Sequence, residues 1–259
     1  MRALERIGDR TQAFFEYAGG ITYLAGSTTR FITLLRIRFV ECVNQAYLLG
    51  VQSLAIVLLT SLFTGMVISL ESAVTAVQYG FANVVGGAVA YASARELGPM
   101  LTGIIVAGRA GSAIAAEIGS MVVTEQVEAL RSMGVEPARY LVVPRLLALL
   151  VMLPLLTIFA DMISLLGGMW VAHTYAHISY ADFMNSVKIG IGMRDVLRGL
   201  VKAPVFAIII VLVAAFQGLR TRGGAAGVGK TVTGAVVIAM ILIFIANFAL
   251  SFLLFGGSG

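Results

Sequence analysis

The chain alternates long apolar runs with short charged stretches, and the runs have the length of membrane-crossing helices. Leu48 to Leu70 (LLGVQSLAIVLLTSLFTGMVISL) carries no charge. At 1.5 Å per residue it crosses a hydrocarbon core about 30 Å thick. Glu71 to Gly80 is polar and reads as a loop. A second span, about 81–110, is rich in Gly and Ala and is interrupted by Arg95-Glu96. Its apolar character continues to Val123, broken by Arg109 and Glu117, so the helix is expected to leave the bilayer near Arg109. The third span covers about 146–171, with Pro154 and Asp161 inside it; the fourth covers 200–217 and the fifth 232–255.

The segments between spans carry different patterns. Residues 1–47 alternate Arg2, Arg6, Arg10, Arg30, Arg36 and Arg38 with Leu4, Ile7, Phe14, Phe15, Phe31, Leu34, Leu35 and Phe39. Helical spacing of those apolar positions suits amphipathic helices lying in the membrane interface. It suits equally an ordinary cytosolic helix packed on the bundle. Thr124 to Met133 reads as a short amphipathic helix, ended by Gly134 and Pro137. Its Glu125, Glu128 and Arg131 can share a polar face, and Val127, Leu130 and Met133 an apolar one.

Composition supports a membrane protein. The hydrophobic fraction is 59%, the charged fraction 12% and the mean hydropathy +0.96. That leaves too few charges to coat a soluble domain of this size. The net charge of +5 is scattered between spans, which argues for loops on an anionic leaflet and against nucleic acid. With the N-terminus cytoplasmic, the inside segments hold the N-terminal arginines, Arg131, Arg139, Arg145, Arg220, Arg222 and Lys230. The outside holds Lys188, Arg194 and Arg198. The bias sets the N-terminus inside and, with five spans, the C-terminus outside. Cys42 is the single cysteine, so no internal disulfide forms.

Chemistry is sparse. Arg95 and Glu96 stand at membrane depth, where charge is costly and usually meets a partner or a wet cavity. Both a cavity lining and a structural ion pair with a neighbouring helix fit them. Gly103, Ala107, Gly111, Ala115 and Gly119 recur every four residues on one helix face, a pattern for close helix packing. Gly224 to Thr231 (GAAGVGKT) matches the phosphate-loop pattern, but that motif works only between a strand and a helix. Here it opens a span, so a flexible basic turn is the expectation. His173 and His177 provide two ligands at most, and no metal site is expected. Asp161 has no partner visible in sequence. Ser112, in RAGSA, lacks the nucleophile elbow, so no enzyme is read here.

Three segments together resemble the MlaE/YrbE family: ARELGPMLTGIIVAGRAGSAIAAEIGSM (Ala94 to Met121), TEQVEALRSMGVEPARYLVVPR (Thr124 to Arg145) and GAAGVGKTVTGAVV (Gly224 to Val237). Members are permease subunits of Mla-type ABC transporters that move phospholipids between the inner and outer membranes. The resemblance implies an all-α integral membrane protein with about five transmembrane helices, N-terminal interfacial helices (residues 1–47), a permease domain (48–255) and a cytoplasmic coupling helix (124–133). It implies a homodimer in the bacterial inner membrane, a cytosolic ATPase subunit that alone binds ATP, a periplasmic hexameric ring of MCE-domain proteins and a possible STAS-domain subunit. The lipid cavity would lie at the dimer interface, with candidate contacts at Arg95, Glu96, Phe63, Met66 and Leu70. The ATPase would meet Glu125, Glu128, Leu130, Arg131 and Met133. The small-residue ladder would serve dimer or helix packing. No cofactor is implied beyond phospholipid as substrate. The competing readings are a stand-alone secondary transporter or channel for a small solute, an intramembrane enzyme, and a scaffold for the MCE ring.

Overall fold

A computed structural model describes residues 2–33, 38–81 and 84–256, without the side chains of 2–11, 13, 14, 18, 32 and 33. The protein is an all-α integral membrane protein. Among the described residues, five helices are long and apolar enough to cross a membrane. We number the helices α1 (Arg2–Thr33), α2 (Phe39–Gln78), α3 (Val85–Val123), α4 (Gln126–Ser132), α5 (Ala138–Ala176), α6 (Tyr180–Gly190), α7 (Met193–Leu219) and α8 (Gly224–Phe255). The described residues contain no strand.

Helix α7 is the centre of the bundle. Its most apolar stretch is 61% buried, against 17% for α8. Ala203, Phe206, Ala207, Ile210, Val211 and Ala214 are all shielded. Helices α3, α5 and α8 pack around it, and α2 lies along α5. The main core follows α7, and a second cluster at the other end joins Ala73, Ala76, Val85, Val89, Phe183 and Val187. Helix α6 closes that cluster. Its N-terminus is capped by Ser179, whose hydroxyl accepts from the Asp182 N–H at 3.1 Å.

The α2/α5 contact depends on missing side chains. A Cβ on Gly65 would fall on the Ser164 carbonyl, and one on Gly167 would meet Leu62. Small residues on both helices let the backbones touch. Four stretches adopt π turns inside these helices: Ala46–Gly50, Ser93–Leu97, Ala107–Gly111 and Ala138–Val142.

Several boundaries differ from the sequence reading. Glu71 to Gly80 is not a loop: α2 continues to Gln78. Ala73 and Ala76 are buried in the second cluster while Glu71, Val74 and Gln78 are exposed, so the segment keeps helical periodicity beyond the apolar run. The turn comes at Gly80, with φ of 77°. Residues 39–47 belong to α2 rather than to the N-terminal segment. The span helices begin earlier or end later than hydropathy suggests, because amphipathic ends pack on neighbours outside the apolar zone. GAAGVGKT is helical from Gly224 onwards. The turn expected there is confined to Gly223 and Gly224, with φ of 86° and 68°. The element before it is the helix α7, not a strand.

Helix α1 packs on the bundle along one face. Leu24 and Thr28 are buried, and Tyr17 meets Phe216 edge-on at 5.0 Å. Phe15 and Tyr23 stay exposed. The expectations placed on the side chains of Arg2, Leu4, Arg6, Ile7, Arg10 and Phe14, and on Leu34, Leu35 and Arg36, lie outside the described residues.

Candidate functional site

The π turn at Ser93–Leu97 is where α3 turns polar. It carries Arg95 and Glu96, and the structure sends the two side chains different ways. Glu96 points at α7 and α8. Its Oε2 accepts from Lys202 Nζ at 2.9 Å, Asn247 Nδ2 at 3.0 Å and the Ser251 hydroxyl at 2.9 Å. Lys202 is fully buried. Its three ammonium protons have three acceptors: Glu96 Oε2, the Arg95 carbonyl at 2.7 Å and Ser251 Oγ at 2.8 Å. That is the full donor capacity of a lysine. A buried charge is tolerable only when paired and hydrogen-bonded, and this one is both. Gly199 makes the approach possible, since a Cβ there would strike the Ala94 carbonyl.

Arg95 turns instead towards the start of α7. Its guanidinium lies 3.6 Å from the Phe255 ring centre and 4.3 Å from that of Tyr91, whose hydroxyl it also meets. Asp195 stands 3.7 Å away, close enough for charge attraction but too far for a hydrogen bond. Asp195 meanwhile accepts from the Gly192 N–H, capping α7. Arg198 and Lys202 approach the same Phe255 ring at 5.8 and 5.4 Å. The result is a semi-buried cluster of three cations and two acids around one aromatic ring.

Lys202, Asn247, Ser251 and Asp195 are missing from the sequence reading. The signal was available: Lys202 interrupts LVKAPVFAIII and Asn247 interrupts IFIANFAL. It is the same kind of interruption that drew attention to Arg95 and Glu96.

The other candidate residues fall elsewhere. Phe63, Met66 and Leu70 lie on α2. Phe63 is 57% exposed, and Met66 sits beside Gly167 of α5. The partners of Glu96 come from α7 and α8 instead. Gly103, Ala107, Gly111, Ala115 and Gly119 line the face of α3 that meets α7 of the same chain. Phe206 lies over Gly103, Ile210 over Gly111, and Gly218 against the Ala115 carbonyl. Asp161, on α5, lies against Gly98 and Ser93, and its Oδ1 has no hydrogen-bond partner among the described residues. A narrow cleft nearby is lined by Ser61, Thr64, Ser93 and Ser164.

Two arginines tie the helices together. Arg109 donates to the Leu48 carbonyl at 3.0 Å, Ser53 Oγ at 3.1 Å and Gln52 Oε1 at 2.8 Å, fastening α3 to α2. Arg145, buried in α5, reaches Glu117 of α3 at 2.7 Å. Helix α4 is shorter than expected. Glu125 adopts a left-handed φ of 61° just before it. Val127 is buried and Leu130 half-buried, but Met133 is 68% exposed and does not share their face, because the helix ends at Ser132. Glu128 and Arg131 pair at 3.0 Å on the exposed side. His173 Nδ1 lies 3.1 Å from the Ile178 carbonyl and its ring stacks on Tyr180. His177 occupies a left-handed turn.

A family model described as "Permease MlaE" matches residues 42–253. Relatives agree along most of the chain. A protein of Synechocystis named "Probable ABC transporter permease protein" is 41% identical, covering 92% of this chain and 90% of its own length. A protein of the same description from Rickettsia typhi is 39% identical over 82% of each chain. The chloroplastic protein TRIGALACTOSYLDIACYLGLYCEROL 1 of Arabidopsis thaliana is 36% identical, covering 92% of this chain and 68% of its own.

Proposed function

Since this chain belongs to the MlaE permease family, we propose that it is the membrane-spanning subunit of an ABC transporter that moves phospholipid between the inner and outer membranes. In this reading two copies form a homodimer in the bacterial inner membrane, and the lipid sits between them near Arg95 and Glu96. The activity would maintain outer-membrane asymmetry. A separate cytosolic ATPase supplies the energy and docks on α4. A periplasmic MCE-domain hexamer takes up or delivers lipid, and a STAS-domain subunit attaches to the ATPase.

The observation that carries the reading is the charged cluster of α3, α7 and α8. A phospholipid presents two apolar tails and an anionic phosphate. Arg95, partly buried, meets the Tyr91 hydroxyl with one nitrogen and Asp195 only at long range, so its five-donor guanidinium has hydrogen-bonding capacity to offer a phosphate. The Glu96–Lys202 pair fixes the backbone that carries it, because Lys202 also binds the Arg95 carbonyl. Helix α4 supports the second half of the reading. Val127 and Leu130 fasten it to the bundle, which leaves Glu125, Glu128, Arg131 and Met133 facing outwards for a partner. Arg131 and Arg220 line one groove at the α4 end, and Lys188, Arg194 and Arg198 lie towards the other. That charge bias supports a cytoplasmic N-terminus and a periplasmic C-terminus.

Purification of the tagged chain from its native membranes in mild detergent, with mass spectrometry of everything retained, tests the proposal. An ATP-binding subunit, an MCE-domain protein and phospholipid are expected together. The chain alone, without lipid, would overturn it in favour of a stand-alone transporter. In the same experiment, E125K/E128K should lower recovery of the ATPase about tenfold, the effect of one lost charge-assisted contact. It should leave the bound lipid unchanged.

A further inference from the structure

A second candidate site lies far from Arg95, where α1 crosses the bundle. A groove of about 270 Å³ runs between α1, the α4–α5 connection and the end of α7. That is several times a single water's share of liquid volume. Its floor is apolar: Leu24 and Pro137 are buried, and Leu219 is half-buried. Its rim is charged: Arg131, Arg220 and Glu136 are exposed.

The level of the groove identifies its surroundings. Leu219 is the last residue of helix α7 and Ala138 the first of helix α5. The groove therefore lies at the ends of two membrane-spanning helices, with an apolar floor between them and cations at its rim. Tyr23, 75% exposed, stands at the edge of the groove, and tyrosine is a residue type enriched where proteins meet lipid headgroups. Both arginines have capacity to spare. Among the described residues, Arg131 makes an exposed pair with Glu128, of the kind that contributes little. Arg220 lies 5.3 Å from the centre of the Phe216 ring.

We propose that this groove binds a resident phospholipid from the leaflet on the α4 side, with its phosphate between Arg131 and Arg220 and an acyl chain along Leu24 and Leu219. Glu136 opposes a second negative charge at the rim and favours a headgroup that carries an ammonium. The lipid joins three elements that otherwise touch sparingly, and so holds α1 against the connection that leads out of α4. Binding here requires neither ATP nor transport; because Arg131 also belongs to the α4 face proposed for the ATPase, the test is made on this chain without that subunit, which keeps its outcome separate from that of the transport proposal.

The test uses the full chain reconstituted in vesicles of phosphatidylethanolamine and phosphatidylglycerol, with a trace of photoactivatable phosphatidylethanolamine, and adducts mapped by peptide mass spectrometry. Adducts are expected in α1 around Tyr23 to Ser27. R131E/R220E should reduce them at least tenfold, since either of the two charge-assisted contacts alone is worth about that much, while labelling of the outward face of α8 stays unchanged and reports an intact fold. R131K/R220K should retain about half of the labelling, since the charge remains but the planar fork is lost. Equal labelling of the wild type and R131E/R220E would show only the annular lipid common to any membrane protein and would overturn the site. A photoactivatable phosphatidylglycerol that labels α1 as strongly as the phosphatidylethanolamine probe would overturn the role of Glu136.

Discussion

Replacing Lys202 with methionine is expected to destabilise the protein by about 3 kcal/mol, the lower end of the cost of leaving one member of a buried ion pair alone. The lower end applies because the Glu96 carboxylate is not fully enclosed, 37% exposed in the single chain, and keeps its donors Asn247 and Ser251. K202M also strips a donor from the Arg95 carbonyl and from Ser251. The double variant K202M/E96Q should recover most of the loss. It removes both charges, and a glutamine at 96 can still accept from Asn247 and Ser251. Thermal or denaturant unfolding of the purified protein in detergent measures both. If K202M alone unfolds like the wild type, the pair is not the buried unit described here. The double variant then separates stability from function. If it folds yet no longer moves lipid between vesicles in the assembled transporter, the charges act on the substrate or on the motion. If it folds and transports normally, the cluster is structural and the proposed role of Glu96 falls, although Arg95 would still need its own test.

Gly65→Ala should cost about 1–3 kcal/mol, the usual range for forcing extra volume into a packed interior. Here the obstacle is backbone: the added methyl would occupy the place of the Ser164 carbonyl. Neither helix can rotate away cheaply, because α5 also brings Gly167 against Leu62 and Gly168 against Val89 and the Gly65 carbonyl. The strain would also reach the hydroxyl pair between Ser93 and Ser164, 2.8 Å apart, which ties α3 to the same contact. Gly65→Val should be worse, since the branched side chain has no way out of the crossing. Gly229→Ala is the matched control. It lies in the first turns of α8 with nothing within 4 Å of an added Cβ, so it should be neutral or slightly stabilising by the helix propensity of alanine. Comparison of the unfolding midpoints of G65A and G229A decides the matter. Equal stability would mean that the α2/α5 crossing tolerates an added carbon and is looser than described.

The two predictions share a cause. In a lipid-facing bundle the hydrophobic effect does little to draw helices together, because the hydrocarbon is as apolar as a leucine side chain. Close backbone contact at Gly65, Gly167 and Gly199 supplies packing, and the Glu96–Lys202 node supplies directional bonds. Arg109, reaching three acceptors on α2, is a third such device.

The sequence alone determined the class of the protein and the rough position of its spans, because an unbroken apolar run of Leu48 to Leu70 has few stable places except a bilayer. It also marked Arg95 and Glu96, since the cost of charge at membrane depth is a local property of the chain. It could not extend the helices to their true ends. Glu71 to Gln78 is polar by composition yet helical, because Ala73 and Ala76 find partners in α3 and α6 that no local window contains. Nor could it pair Glu96 with Lys202, 106 positions away. Only the crossing of α3, α7 and α8 decides that Glu96 turns inwards to a buried ammonium while its neighbour Arg95 turns to Phe255 and Asp195. Adjacent residues on a helix face in different directions, and which direction meets which partner is settled by tertiary packing. The same holds for the groove beneath α1: Tyr23, Arg131 and Arg220 are ordinary in sequence, and they line one groove only because α1 crosses the bundle where α4 and α7 end.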